Sequence, residues 1–206
     1  FSGLSNSGSG GSSLRCEILK HDLKMWMKKS SRYAPFEAAK ILQELLQWHS
    51  NEVTVQDCNQ VVRSLNNASR NKNDKNGPET ALGILNKMVE VYKQSGNESV
   101  RPTVITYNNV IEAHGYKGDV KSSTMVFDMQ IDDYEINENN DAKPNSDSFG
   151  HVMYACSKSK LKIAPLLACD LLEDMIEWHA QGKLNEKPIA RHYITVMNAC
   201  ARNGDV

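Results

Sequence analysis

Four stretches of the chain repeat one spacing, i, i+3, i+4, i+7. They are Cys58, Val61, Val62, Leu65; Tyr107, Val110, Ile111, His114; Phe149, Val152, Met153, Cys156; and Tyr193, Val196, Met197, Cys200. This spacing puts the four members of each set on one stripe of an α-helix. A second pattern alternates with the first. Its copies are Ala38, Ile41, Leu42, Leu45, Leu46; Ala81, Ile84, Leu85, Met88, Val89; Ser123, Val126, Phe127, Gln130, Ile131; and Ala168, Leu171, Leu172, Met175, Ile176. A small residue heads each copy and lets two helices approach closely, while the larger residues fill the gap between them. The order is therefore helix A, helix B, helix A, helix B. A further helix A is expected over about residues 14–29, carrying Cys16, Leu19 and Leu23. No segment alternates strictly in the manner of a strand, so the fold class is all-α.

Punctuation supports the same register. Pro102, Pro144 and Pro188 each stand five residues before the aromatic that opens a helix A, where proline blocks continuation of the preceding helix. Gly118-Asp119 and Gly204-Asp205 stand 11 residues past their aromatics, where glycine can end one helix and turn the chain into the next. Helical hairpins this short cannot bury both faces alone, so they are expected to stack into a right-handed α-α solenoid with a continuous core. The expected organisation is a flexible Ser/Gly-rich segment over 1–13 and an array over 14–206, divided near 14–52, 53–103, 104–145, 146–189 and a partial copy 190–206. Helix A openings are 49, 42 and 44 residues apart. The surplus lies in polar inserts near 71–77, 132–141 and 182–186, which cost little closure entropy.

These residues resemble a known family. Pro102-Thr-Val-Ile-Thr-Tyr-Asn-Asn-Val-Ile111, continued by Gly118-Asp-Val and Val126-Phe127, is similar to a pentatricopeptide repeat. So are Lys143-Pro-Asn-Ser-Asp-Ser-Phe149 and the stretch from Lys187-Pro188 through Tyr193 to Asp205. The resemblance is strong over about 101–206, moderate over 53–100 and weak before 53. It implies single-stranded RNA binding along a concave groove, one base per repeat, in mitochondria or chloroplasts. In the family, the residue after the helix A aromatic and the last residue before the next repeat select the base. The first slot holds Asn59, Asn108, Gly150 and Ile194, and the second holds Thr103, Asn145 and Ile189. Two residues before the aromatic, Gln56, Ile105, Asp147 and Arg191 would flank the base. Asn108 with Asn145 is the best-formed pair and implies a pyrimidine. Gly150, Ile189 and Ile194 depart from the pattern because they cannot hydrogen-bond, and Asp147 would sit badly beside phosphates.

The chain carries a net charge of −1, which argues against a strongly basic surface. Five acidic residues and no basic one lie in 132–141, and the remainder carries +4. Lys158 and Arg202 hold equivalent slots near the ends of their helices, with Lys117, Lys160 and Lys162 close by, so a modest basic rim is expected. The five cysteines form no CxxC, and no HExxH or zinc-spaced Cys/His cluster occurs. Cys156, Cys200 and His114 share one helical slot and read as packing residues. Asp132, Asp133 and Glu135 read as a solvated loop, and Trp26, Trp48 and Trp178 as packing residues. No catalysis, cofactor, small-molecule substrate or membrane span is expected. The alternative reading is a tetratricopeptide-like scaffold that binds a protein partner. A third is the targeting arm of an RNA-processing enzyme. The chain opens on Phe1 and stops inside a repeat, so it is expected to be a fragment of a longer protein, with any targeting peptide outside it. Its last helix should expose Tyr193, Val196 and Met197.

Overall fold

The computed structural model describes residues 8–71, 74 and 76–203. Among the described residues the chain forms nine α-helices and no strand. They are α1 (Gly8–Lys28), α2 (Ala34–Trp48), α3 (Val55–Ser69), α4 (Gly77–Ser95), α5 (Val104–Gly115), α6 (Val120–Glu135), α7 (Ser146–Lys158), α8 (Ala164–Ala180) and α9 (Ala190–Asn203). Both sequence patterns fall on these elements as expected. Helices α3, α5, α7 and α9 carry the first, and α2, α4, α6 and α8 the second.

Each odd helix packs against the even helix that follows it, and each even helix packs against the next odd one. The odd helices α3, α5, α7 and α9 also pack directly on one another in series. The result is a helical solenoid with a ladder of odd helices along one side. Its core runs without interruption from Cys16 and Leu23 to Val196 and Ala199. The stripe residues Cys58, Tyr107 and Phe149 are all essentially buried. Phe149 meets Phe127 at 4.9 Å and Trp178 at 5.5 Å between ring centroids, both edge-to-face, which ties α7 to α6 and α8.

Helix starts are specified by local chemistry. Thr54 and Asn145 cap α3 and α7, accepting from the main-chain N–H of Asp57 and Ser148, whose side chains reach back to the cap's own N–H. Thr106 reaches back in the same way to the N–H of Thr103 at the head of α5. All six prolines stand at helix entrances. Pro102, Pro144 and Pro188 precede α5, α7 and α9, while Pro35, Pro78 and Pro165 occupy the first turns of α2, α4 and α8, where the missing N–H has no helical partner anyway. Gly118 turns α5 into α6 at φ +67°. A Cβ there would meet the Lys158 carbonyl at 2.9 Å, so this glycine also permits close approach of the next repeat. Gly204-Asp205 lies outside the described residues.

Several expectations need correction. Residues 8–13 are helical and open α1, where a flexible segment was expected; residues 1–7 lie outside the described ones. Extending a helix back from Leu14 adds one hydrogen bond per ordered residue, so Ser and Gly can follow once the helix is nucleated. The acidic insert 132–141 is not a solvated loop. Its first four residues continue α6, and Asn140–Ala142 forms a 3-10 turn. Asp133 is buried, where it accepts from the Tyr107 hydroxyl at 3.0 Å and the Asn139 amide at 2.7 Å. Asn139 also donates to the Pro102 carbonyl at 2.9 Å, pinning the insert beneath the head of α5. Insert 182–186 is likewise anchored through buried Leu184. Trp48 is 71% exposed, whereas Trp26 and Trp178 pack on the core. On α9, Tyr193 and Met197 are exposed as expected, but Val196 is buried against the preceding repeat.

Candidate nucleic-acid interface

Side-by-side packing of the odd helices dictates the geometry of the ladder face. The fifth residue of one odd helix faces the residue that begins the next. Asn59 of α3 therefore meets Thr103, with Nδ2 donating to Oγ1 at 3.4 Å. Asn108 of α5 meets Asn145, with Nδ2 donating to Oδ1 at 3.1 Å. The members of each pair stand 44 and 37 residues apart in sequence. Each second member also begins a helix, so one residue shapes its own repeat and touches the side chain of the preceding one.

One turn earlier lies the flanking column. Gln56, Ile105, Asp147 and Arg191 all are exposed. Ile105 is 56% exposed beside Asn108 and offers an apolar platform at the edge of the polar pair. The guanidinium of Arg191 donates to the carboxylate of Asp147 at 3.0 Å, so Asp147 does not face the groove as a lone anion. Toward the end of the array the polar chemistry thins. Ile189 and Ile194 are about half exposed and apolar. Gly150 carries no side chain, and a Cβ built there would lie 3.4 Å from Nε2 of His192. Burial, with Arg191 beside it, pushes the His192 imidazole below its ordinary value.

A second polar tier lies further along the odd helices. Asn66 of α3 donates to Asn109 at 3.2 Å and to Glu112 at 2.6 Å, both on α5. Tyr116 donates its hydroxyl to the other oxygen of Glu112. Burial pushes the Glu112 carboxyl up, but the hydrogen bonds from Tyr116 and Asn66 outweigh it and hold the group below its usual value. Burial and the bond to Glu112 push the Tyr116 phenol up to about 12. Arg70 lies 5.2 Å over the Tyr116 ring and 3.9 Å from Glu112. His151, on the neighbouring turn of α7, is pushed below its ordinary value by burial, against the opposing pull of Glu112 and Asp147.

The basic residues gather at the far ends of the odd helices. Lys158 and Arg202 are neighbours across the repeat, with the Arg202 guanidinium donating to the Lys158 carbonyl at 3.3 Å. The Lys158 ammonium lies 5.0 Å from the Tyr154 ring, and Lys117 reaches the Asn71 carbonyl at 2.8 Å. Arg70, Lys117, Lys158 and Arg202 thus all stand at or just past the C-terminal ends of odd helices. Glu79, His114 and Asp119 bring one ligand-type atom each within 4.8 Å of one another. Asp119 is already engaged there, capping α6 through Ser122 and pairing with His114 Nδ1 at 3.0 Å.

Sequence reasoning named Asn59, Thr103, Asn108 and Asn145 and missed the residues that hold them. Thr106 donates to Asn59 Oδ1 at 2.5 Å, and Ser148 donates to Asn108 Oδ1 at 2.7 Å. Both occupy the slot just before the first residue of the stripe, where Asp57, Thr106, Ser148 and His192 are all polar. That register was available as a signal.

No family model matches the chain. Over 127 residues, 61% of this chain, it is 24% identical to a mitochondrial pentatricopeptide repeat-containing protein of Arabidopsis thaliana. The matched stretch covers 11% of that protein, so the chain spans only a small part of the curated relative's length. The chain is thus an all-helical repeat solenoid with similarity to one pentatricopeptide repeat protein.

Proposed function

We propose that the ladder face of the odd helices binds single-stranded RNA, with the Asn59–Thr103 and Asn108–Asn145 pairs contacting successive bases. The observation that carries this reading is the juxtaposition of these pairs in register. Two amide-bearing positions, fixed by packing rather than by sequence proximity, share one accessible strip with Ile105 alongside. An amide offers both donors and an acceptor to a base edge, and an exposed isoleucine can lie against a base face. Lys117, Lys158 and Arg202 supply cations for the phosphates, and the pairing of Asp147 with Arg191 limits repulsion there. Steps at Gly150 and Ile194 bind the backbone and contribute little base selectivity. The mitochondrial designation of the relative supports an organellar setting, and the role proposed there is in RNA processing, stability or translation.

Asn108→Ala tests the reading. Binding to a randomised single-stranded RNA pool should weaken by about 1–3 kcal/mol, and base enrichment should disappear at one position only. Unchanged enrichment at every position would refute the role of this pair. Failure of the unmutated chain to bind RNA, with capture of a peptide in the groove instead, would favour the protein-scaffold alternative.

A further inference from the structure

We infer that Ser148 is a positioning residue that fixes the orientation of the reading amide in the preceding repeat, so that it presents an N–H donor to the base. The inference rests on the RNA-binding reading above.

The argument is a count of donors and acceptors around Ser148. Its hydroxyl has one proton and two lone pairs. The main-chain N–H of Asn145 donates to Oγ at 3.1 Å, and Gln130 Nε2 donates to it at 3.3 Å. Gln130 is itself oriented, because its Nε2 also donates to the Ala142 carbonyl at 3.0 Å, and a carbonyl can only accept. Both lone pairs of Ser148 are therefore used, and its proton must go to an acceptor. Asn145 Oδ1 already receives the Ser148 main-chain N–H at 3.0 Å and Asn108 Nδ2 at 3.1 Å. Asn145 Oδ1 also lies 3.1 Å from Ser148 Oγ, but Asn108 Oδ1 is closer, at 2.7 Å, and takes no other donor among the described residues, so it receives the proton.

The ring is closed in one sense only. Turning the Asn108 amide over would press its NH2 against a hydroxyl oxygen with no free lone pair. It would also set its oxygen against Asn145 Oδ1. Ser148 is fully buried, so water does not relieve either conflict. Asn108 thus spends its oxygen inward and one Nδ2 hydrogen on Asn145, which leaves the second Nδ2 hydrogen for a ligand. The step selects base edges that lead with an acceptor.

The preceding repeat has similar contacts without the closed count, since Thr106 Oγ1 and Thr103 Oγ1 lie 3.4 Å apart and either can donate. Thr106 Oγ1 accepts from the Thr103 N–H at 3.1 Å and donates to Asn59 Oδ1 at 2.5 Å, while Asn59 Nδ2 turns to Thr103. In the next repeat His192 takes the same slot. Its Nδ1 accepts from the Ile189 N–H at 3.1 Å, which places the proton on Nε2. That buried donor has no partner and faces Gly150, a reading position without an amide to hold.

The test compares the unmutated chain, Ser148→Ala and Ser148→Thr. Base enrichment from a randomised single-stranded RNA pool is read beside side-chain amide NMR of the free chains. In the unmutated chain the Asn108 amide group should be as rigid as the backbone. In Ser148→Ala it should loosen, and base preference at its step should fall by about ten-fold while other positions keep theirs. Ser148→Thr should restore both. A mobile Asn108 amide in the unmutated chain overturns the inference whether or not Ser148→Ala folds. So does RNA binding with undiminished preference at that step in a folded Ser148→Ala. Absence of RNA binding by the unmutated chain would sink the functional reading, and this inference with it.

Discussion

Gly118 links two features of the solenoid, and replacing it with alanine separates them. The residue sits at φ +67°, in the left-handed region between α5 and α6. A Cβ in that region costs about 1–2 kcal/mol. At Gly118 the Cβ would also lie 2.9 Å from both the carbonyl carbon and oxygen of Lys158, and 3.2 Å from the Ser159 nitrogen. These are backbone atoms of the next repeat and cannot swing aside. Relieving the overlap requires α7 to shift on α5, and overpacking of this kind costs a further ~1–3 kcal/mol. Gly118→Ala should therefore destabilise by about 2–5 kcal/mol in all. Gly96 and Gly182 provide the control, since they adopt φ +66° and +71° with nothing within 4 Å of a Cβ. Their alanine variants should lose only the conformational part, about 1–2 kcal/mol each. The assay is urea denaturation followed by circular dichroism, with all variants compared under one condition, since repeat arrays need not unfold in two states. Equal losses at Gly118, Gly96 and Gly182 would refute the inter-repeat contact inferred at Lys158.

Two further outcomes follow from the site. Gly150→Asn should stabilise the array by about 0.5–1 kcal/mol, because buried His192 Nε2 gains a partner; a lower melting temperature would contradict this. His151 and His192 both have their imidazoles pushed below the ordinary value of 6.5 by burial. On acidification the unfolded chain takes up these protons first, so stability should fall as pH drops below about 6.5 toward the lowered native values. Melting temperatures measured between about pH 7.5 and about pH 5.5 should decline, and less steeply in the His151→Gln, His192→Gln double variant. A flat or rising profile in the unmutated chain would contradict the assignment.

The helix register and the juxtaposed pairs were legible in the sequence because few devices specify them. The apolar stripes, the small residues such as Ala81 and Ala168, and the prolines at helix entrances each act locally and recur at fixed offsets. Asn108 and Asn145 could be paired across 37 residues because the repeat makes their separation a matter of counting. The acidic insert was read wrongly for the opposite reason. A run of carboxylates looks solvated, and it is donation from the Tyr107 hydroxyl and the Asn139 and Asn137 amides that makes the burial of Asp133 tolerable. The orientation of Asn108 was equally hidden. It depends on Gln130, Ala142, Asn145 and Ser148, which come from three successive segments and meet only when α6 packs on α7. Trp48 shows the reverse error, since an aromatic residue at a helix end need not find a neighbour.

The most direct measurement is binding of a labelled single-stranded RNA pool by this chain as salt is raised. Neutralisation of about three or four phosphates by Arg70, Lys117, Lys158 and Arg202 should give a log–log slope of about −2 to −3. Affinity should then fall by roughly 15–60-fold between about 50 and about 200 mM KCl, with weak binding to duplex RNA throughout. A slope near zero, equal affinity for duplex, or no binding at the low-salt end would contradict the account.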